Sequence, residues 1–262
     1  MKKTTKSFQS LLLAFVLLCS LAISASAAYV SSTTKTITLA GRELDISSSV
    51  STYPDSQGCQ VYSTTFVLSS ASSNPAGYLG AKAGLYDKDA YLIFMEGETY
   101  TSSNTPGVMA EHSTYVVDNK GTGMYVYGQG IAFAFNGSKY LSAVTNRTPN
   151  ILAKRTTSSF AAVIEEQLAV ATTFAEAQKI SGVNEEGQAY GSALFVDSTA
   201  DIPELVAAVS KDGVKGYIYS DEVYLPSTNT PEEAAAHVIR TQTIPLYDMD
   251  GTTVIGEFII NK

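Results

Sequence analysis

The stretch Ile131-Ala132-Phe133-Ala134-Phe135-Asn136-Gly137-Ser138-Lys139-Tyr140-Leu141-Ser142-Ala143-Val144 decides how this chain is read. Ile131, Phe133 and Phe135 recur at every second position, which turns all three toward one side of an extended strand. Asn136-Gly137 then supplies two residues that tolerate positive φ, and apolar residues resume at Tyr140, Leu141 and Val144. The pattern predicts a β-hairpin.

Working outward toward the N-terminus, residues 60–68, 77–86, 91–100, 113–118 and 124–135 are rich in β-branched and aromatic side chains. Clusters of Ser, Gly, Asn and Pro separate them, and the spacing predicts an antiparallel β-sandwich over residues 28–150. Gly80, Gly84, Gly128 and Gly130 fall inside or between these runs. Glycine in a strand marks a bulge or a close backbone approach, which here would let two sheets curve onto each other. Tyr125, Tyr127 and Tyr140 are the candidate surface binding residues, as a tyrosine-lined carbohydrate groove on the outer face. Against that reading, tyrosine is an ordinary strand residue, and tryptophan, the usual stacking platform, is absent.

Arg147-Thr148-Pro149-Asn150 closes the β region, and residues 151–262 read as a smaller α+β module. Phe160, Val163, Ile164 and Leu168 have helical spacing over 158–171, and Thr173 to Glu176 has capping-box spacing for a second short helix. Asp201 with Pro203 predicts a helix through Val209, since an aspartate can accept orphan amide protons and proline suits the first turn. Thr230-Pro231-Glu232-Glu233 combines a cap, a first-turn proline and an acid three residues after the cap, opening a helix over 234–240. Residues 216–219 read as a strand, and 243–247 with 252–260 as a terminal hairpin around Asp250-Gly251. The expected fold is therefore mainly β, a sandwich followed by an α+β part that ends in a β-hairpin.

The N-terminus has the three parts of an export signal: basic residues from Lys2 to Lys6, an apolar run from Leu11 to Ile23, and Ala25-Ser26-Ala27 as a cleavage site. That run has 13 residues, short of the roughly 20 that a bilayer span needs. A lipid anchor at Cys19 would want a small preceding residue, and Leu18 stands there. Residues 1–27 are thus expected to be removed, leaving a secreted chain with no membrane span, released or held at the envelope only through contacts. Loss of Lys2, Lys3 and Lys6 takes the formal charge three units lower, from −8 to −11. So acidic a chain has no excess of cations to release the counterions of nucleic acid or anionic lipid, and neither is an expected partner. Most of that charge follows residue 150, as expected of solvated helix faces in preference to an acidic binding patch. Once Cys19 leaves, Cys59 is the sole thiol, so no internal disulfide can form and stability must come from packing. Cys59 itself reads as a small buried filler.

Few chemistries have a foothold. No His-Glu-x-x-His exists for zinc, and His112 and His237 read as surface residues. No Gly-x-Ser-x-Gly marks a serine nucleophile, and Ser32-x-x-Lys35 lacks the companions of a penicillin-recognising site. Cys59 with His112 is the one thiol pair available. Asp248-Met249-Asp250-Gly251 opens like a calcium loop, but Ile259 stands at position twelve, where a glutamate is required. No glycine-rich phosphate loop is present, and no cofactor is implied. A carboxylate pair for glycoside hydrolysis carries no motif and stays open.

Lys211 to Leu225, with Gly216-Tyr217 in its strand, resembles the end of a bacterial SH3-like repeat. Thr230-Pro231-Glu232-Glu233-Ala234, Ile244-Pro245-Leu246-Tyr247-Asp248-Met249-Asp250-Gly251 and Val254-Ile255-Gly256-Glu257-Phe258 together resemble the C-terminal signature of uncharacterised secreted proteins of Firmicutes-type bacteria. Gly77-Tyr78-Leu79-Gly80-Ala81 and Tyr190-Gly191-Ser192-Ala193 are similar to the same group. The resemblance implies export and a shared architecture and supplies no catalytic residue. The expected function is a secreted, non-catalytic binding protein whose partner is cell-wall glycan or another exported protein. The competing readings are an extracellular hydrolase with a motif-less carboxylate or thiol site, and a bacteriocin-like toxin.

Overall fold

A computed structural model describes residues 27–117, 120–155 and 174–262. The first strands are β1 (Ala28–Ser31), β2 (Lys35–Leu39), β3 (Arg42–Pro54), β4 (Gly58–Ser69), β5 (Leu79–Asp87), β6 (Leu92–Met95), β7 (Thr99–Tyr100), β8 (Gly107–Val117), β9 (Met124–Phe135) and β10 (Tyr140–Val144). They continue as β11 (Ile151–Ala153), β12 (Gly182–Val183), β13 (Ala189–Gly191), β14 (Leu205–Val209), β15 (Lys215–Tyr219), β16 (Thr241–Tyr247) and β17 (Val254–Asn261). Helices are short: α1 (Phe174–Lys179), α2 (Ser220–Val223) and α3 (Pro231–Ala235), with a 3-10 turn at Thr199–Asp201. The fold is mainly β with a small α+β part.

The hairpin first read from the sequence is β9–β10, in register from Phe135–Tyr140 to Ile131–Val144. Its loop is fastened by Asn136, whose Oδ1 accepts the amides of Ser138 at 2.9 Å and Lys139 at 3.0 Å, while Gly137 takes φ +99°. On its other edge β9 pairs with β5 from Leu79–Ala134 to Asp87–Val126. These two strands are the middle layer of the molecule.

One face of that layer packs on a five-stranded sheet of order β1-β3-β4-β8, with β2 also on β3. The alternation of side chains sends Leu79, Ala81, Ala83, Ala132 and Ala134 toward Leu44, Ile46, Val67 and Ala110 of that sheet. The opposite parity sends Tyr86, Tyr127, Ile131 and Phe133 into a second core with Leu194, Val206, Ile218, Leu246 and Phe258. Every residue of β5 is buried as a result. Beyond β5 the larger sheet runs β6-β14-β15-β16-β17, and β14 joins β6 in parallel through Ala208–Leu92. β11 starts one residue past the expected boundary at 150 and pairs with β9 through Ile151–Val126, so chain from both sides of that boundary shares one sheet.

Several expectations need correction. The helix expected from Asp201 to Val209 is a 3-10 turn capped by Ser198, whose Oγ accepts the Ala200 amide at 3.2 Å, followed by strand β14. A five-residue apolar run is too short for periodicity to separate strand from helix, and here burial between β6 and β15 selects the strand. The helix at Thr230 starts as read, with Thr230 Oγ1 accepting the Glu233 amide at 3.3 Å, but it ends at Ala235 rather than at 240. The run over 91–100 breaks into β6 and β7 around Glu96-Gly97-Glu98. Helix α1 is present, whereas its expected cap Thr173, the helix over 158–171 and the export segment lie outside the described residues. Among the described residues no helix is long and apolar enough to cross a membrane.

The strand glycines act by close approach. A Cβ on Gly130 would lie 1.8 Å from Thr65 Oγ1 and 2.4 Å from the Lys82 carbonyl, and one on Gly128 would lie 2.7 Å from Val50 Cγ2. Gly130→Ala is therefore expected to lower stability by about 1–3 kcal/mol or more through overpacking. Urea unfolding would show this as a lower midpoint with an unchanged slope.

Candidate functional site

The tyrosines singled out from the sequence do not form an outer strip. Tyr127 is 1% exposed and Tyr140 is 8% exposed, and Tyr125 is half-buried. Odd-numbered residues of β9 face the second core, because a central strand has both faces covered. Tyr140 donates its hydroxyl to the Gly77 carbonyl at 2.5 Å and packs its ring against Tyr100 and Phe135.

The thiol pair is not assembled either. Cys59 is fully buried between the sheets, and burial pushes its thiol up to about 11. Register places His112 opposite Ser63, four residues along β4 from Cys59, or roughly 13 Å at strand rise. Cys59 is expected to resist alkylation in the folded protein at mildly alkaline pH and to react promptly in urea; a thiol-reagent time course measures this.

Both histidines serve a different centre, the link Glu96-Gly97-Glu98 between β6 and β7. They are not free surface residues as expected. His112 stands against Glu96 Oε2 and packs at a tilt on Phe94, with ring centroids 4.2 Å apart and an interplanar angle of 56°, while Asn261 Nδ2 donates to the same oxygen at 3.1 Å. His237 Nε2 lies 3.5 Å from Glu98 Oε2 and meets Tyr100 edge-on. Glu98 also holds Lys82 of β5 at 2.9 Å, and both side chains are buried. The Lys82 ammonium donates further to the carbonyls of Val223 at 2.6 Å and Leu225 at 3.2 Å. Glu98 accepts the Ser227 amide and hydroxyl, each at 3.0 Å. Burial lowers the Lys82 pKa against the pull of Glu98. For Glu98, burial alone would raise the pKa, but the charge and hydrogen bond of Lys82 outweigh it and hold the carboxyl below its usual value. The group is a polar clasp joining β5, the link and the chain after β15.

A depressed carboxyl stabilises the fold above its unfolded pKa of 4.5, and that contribution is lost as pH falls through the folded value. Lys82→Met strips Glu98 of its counter-charge and is expected to cost about 3–5 kcal/mol at neutral pH. Burial then dominates at Glu98 and raises its pKa, so protonation relieves the variant. The stability gap between wild type and variant, measured by denaturant unfolding, is expected to narrow from about pH 7 to about pH 4.

The accessible constellation lies on the outer face of the five-stranded sheet. Register aligns Tyr29, Ser51, Tyr62 and Ser113 in one row across β1, β3, β4 and β8, and Tyr53, Gln60 and Tyr115 in the next. Ser51, Tyr53, Gln60, Tyr62 and Glu111 line an open groove of about 400 Å³. Tyr53 and Tyr62 meet edge to face at 5.4 Å and 81°. Tyr115, 40% exposed, lies over Gly58 and donates its hydroxyl to Asp55 Oδ1 at 2.7 Å. That bond pulls Asp55 down and pushes the Tyr115 phenol up to about 12. Glu111 Oε2 accepts the Thr64 hydroxyl at 3.0 Å. The sequence carried a signal for this face in the parity of Ser51-Tyr53, Gln60-Tyr62 and Ser113-Tyr115, but only strand register brings them together.

The Asp250 carboxylate accepts the amides of Thr252 and Thr253 at 2.8 Å each and the Thr253 hydroxyl at 2.5 Å, which holds its pKa at about 2. Asp250 thus fastens the β16–β17 hairpin turn. Among the described residues no group of three or more His, Cys, Asp or Glu side chains is arranged to hold a metal ion. No protein-family profile, curated protein or solved structure matches this chain.

Proposed function

We propose that this chain is a secreted, non-catalytic binding protein of the bacterial envelope or extracellular space, and that the tyrosine face of its five-stranded sheet binds glycan. The observation that carries the reading is the pair of adjacent rows in which Tyr29, Tyr53, Tyr62 and Tyr115 alternate with Ser51, Gln60 and Ser113 around an open groove. Aromatic rings offer apolar area at low entropic cost, and the hydroxyl and amide groups between them match a partner with many hydroxyls of its own. The export pattern at residues 1–27 supports the location. The separation of Cys59 from His112, and the use of Lys82, Glu98 and His237 inside the core, support binding over hydrolysis.

Purified protein is expected to be retained on peptidoglycan or another insoluble polysaccharide. Tyr53→Ala and Tyr62→Ala are each expected to weaken retention about tenfold, equivalent to about 1.4 kcal/mol, with an unchanged circular dichroism spectrum. Retention unaffected by Tyr62→Ala, or capture of an exported protein in place of every glycan in a panel, would overturn the proposal.

A further inference from the structure

We infer that the glycan suited to this face carries free amino groups, as in a partly de-N-acetylated amino-sugar chain. The inference rests on the reading of the face as a glycan-binding surface and adds the charge of the ligand to it. Its basis is the one-sided distribution of ionisable groups on the five strands. Glu111 lies in the groove and Asp55 at the turn beside Tyr115, while Glu43 and Asp45 continue the outward parity of β3 roughly 20 Å or more from Ser51 at strand rise. Lys35 and Arg42 are the only lysine or arginine residues in these strands, and His112 of β8 is turned inward against Glu96. Lys35 and Arg42 both belong to the opposite parity. Lys35 Nζ donates to the carbonyls of Val144 and Asp197, and Arg42 donates to the Phe135 carbonyl with its guanidinium over the Tyr78 ring. The outer face is thus acidic and aromatic, with its cations drawn to the other side.

Such a face discriminates by charge. An anionic polysaccharide meets the carboxylates of these strands, whose own Lys35 and Arg42 are turned to the opposite parity. A neutral sugar gains the ring contacts and neutral hydrogen bonds. An ammonium substituent gains a charge-assisted hydrogen bond to a carboxylate and attraction to the tyrosine ring faces. Glu111 is the charged residue in the groove lining, opposite Thr64 and diagonal to Tyr62, so its carboxylate faces the same groove as that ring.

Calorimetry with the hexamers of glucosamine and of N-acetylglucosamine tests this, because the two share a backbone and differ in the charged group. The glucosamine hexamer is expected to bind about tenfold more tightly at low salt, and the ratio is expected to shrink at about 0.5 M salt as screening sets in. Glu111→Gln is expected to reduce the same ratio. If the N-acetylated hexamer binds as tightly as the free amine, the charge inference falls and the glycan reading stands. If a trilysine peptide competes as well as the glucosamine hexamer, the surface attracts cations in general and the inference falls. If neither hexamer nor any other glycan binds, both readings fall together.

Discussion

The structure depends on one constraint: β5 and β9 are covered on both faces. An antiparallel pair in that position cannot use the ordinary alternation of apolar and polar residues, because it has no solvent side. The chain resolves this with size. Toward the five-stranded sheet the two strands present Ala81, Ala83, Gly128, Gly130, Ala132 and Ala134 between Leu79 at one end and Leu85 and Val126 at the other, and Leu44, Ile46, Val50 and Val67 fill the space over the small residues from across the interface. Toward the other layer the same strands present Tyr86, Tyr127, Ile131 and Phe133. A small-residue face thus brings one sheet close, and a large-residue face builds the second core.

The same constraint explains the buried charge. Lys82 belongs to the parity that faces the second core, so its ammonium must be compensated inside the protein. The link between β6 and β7 supplies Glu98 for that purpose and Glu96 for His112, and residues from the last part of the chain complete both clusters. Gly97 fits between them because a Cβ there would lie 2.9 Å from Ile239 and 3.1 Å from the Asn261 backbone. Groups that resemble catalytic components in a residue count are therefore consumed in tying distant segments together.

With these groups committed to the interior, the outward face of the five-stranded sheet is the surface to which the proposed function assigns recognition. That sheet packs through one parity only, and the other parity carries tyrosines, hydroxyls and acids on a rigid support. Side chains fixed at strand spacing need little ordering when a ligand arrives, which limits the entropic cost of binding.

Local chemistry made much of the β architecture legible. Alternation and Asn136-Gly137 specified the β9–β10 hairpin, Asp250-Gly251 specified β16–β17, and Thr230-Pro231 specified the start of α3, since each depends on residues within a few positions of one another. The amino-acid sequence by itself determined the strand-rich class, these turns and the acidic balance of the chain. Tertiary structure alone decided that residues 205–209 form a strand, that Tyr127 and Tyr140 are interior, that Lys82 meets Glu98, and which tyrosines share an outer face. The physical reason is that strand parity yields two sides but not their environments: which side meets solvent, a second sheet or a charge is set by neighbours dozens of residues away.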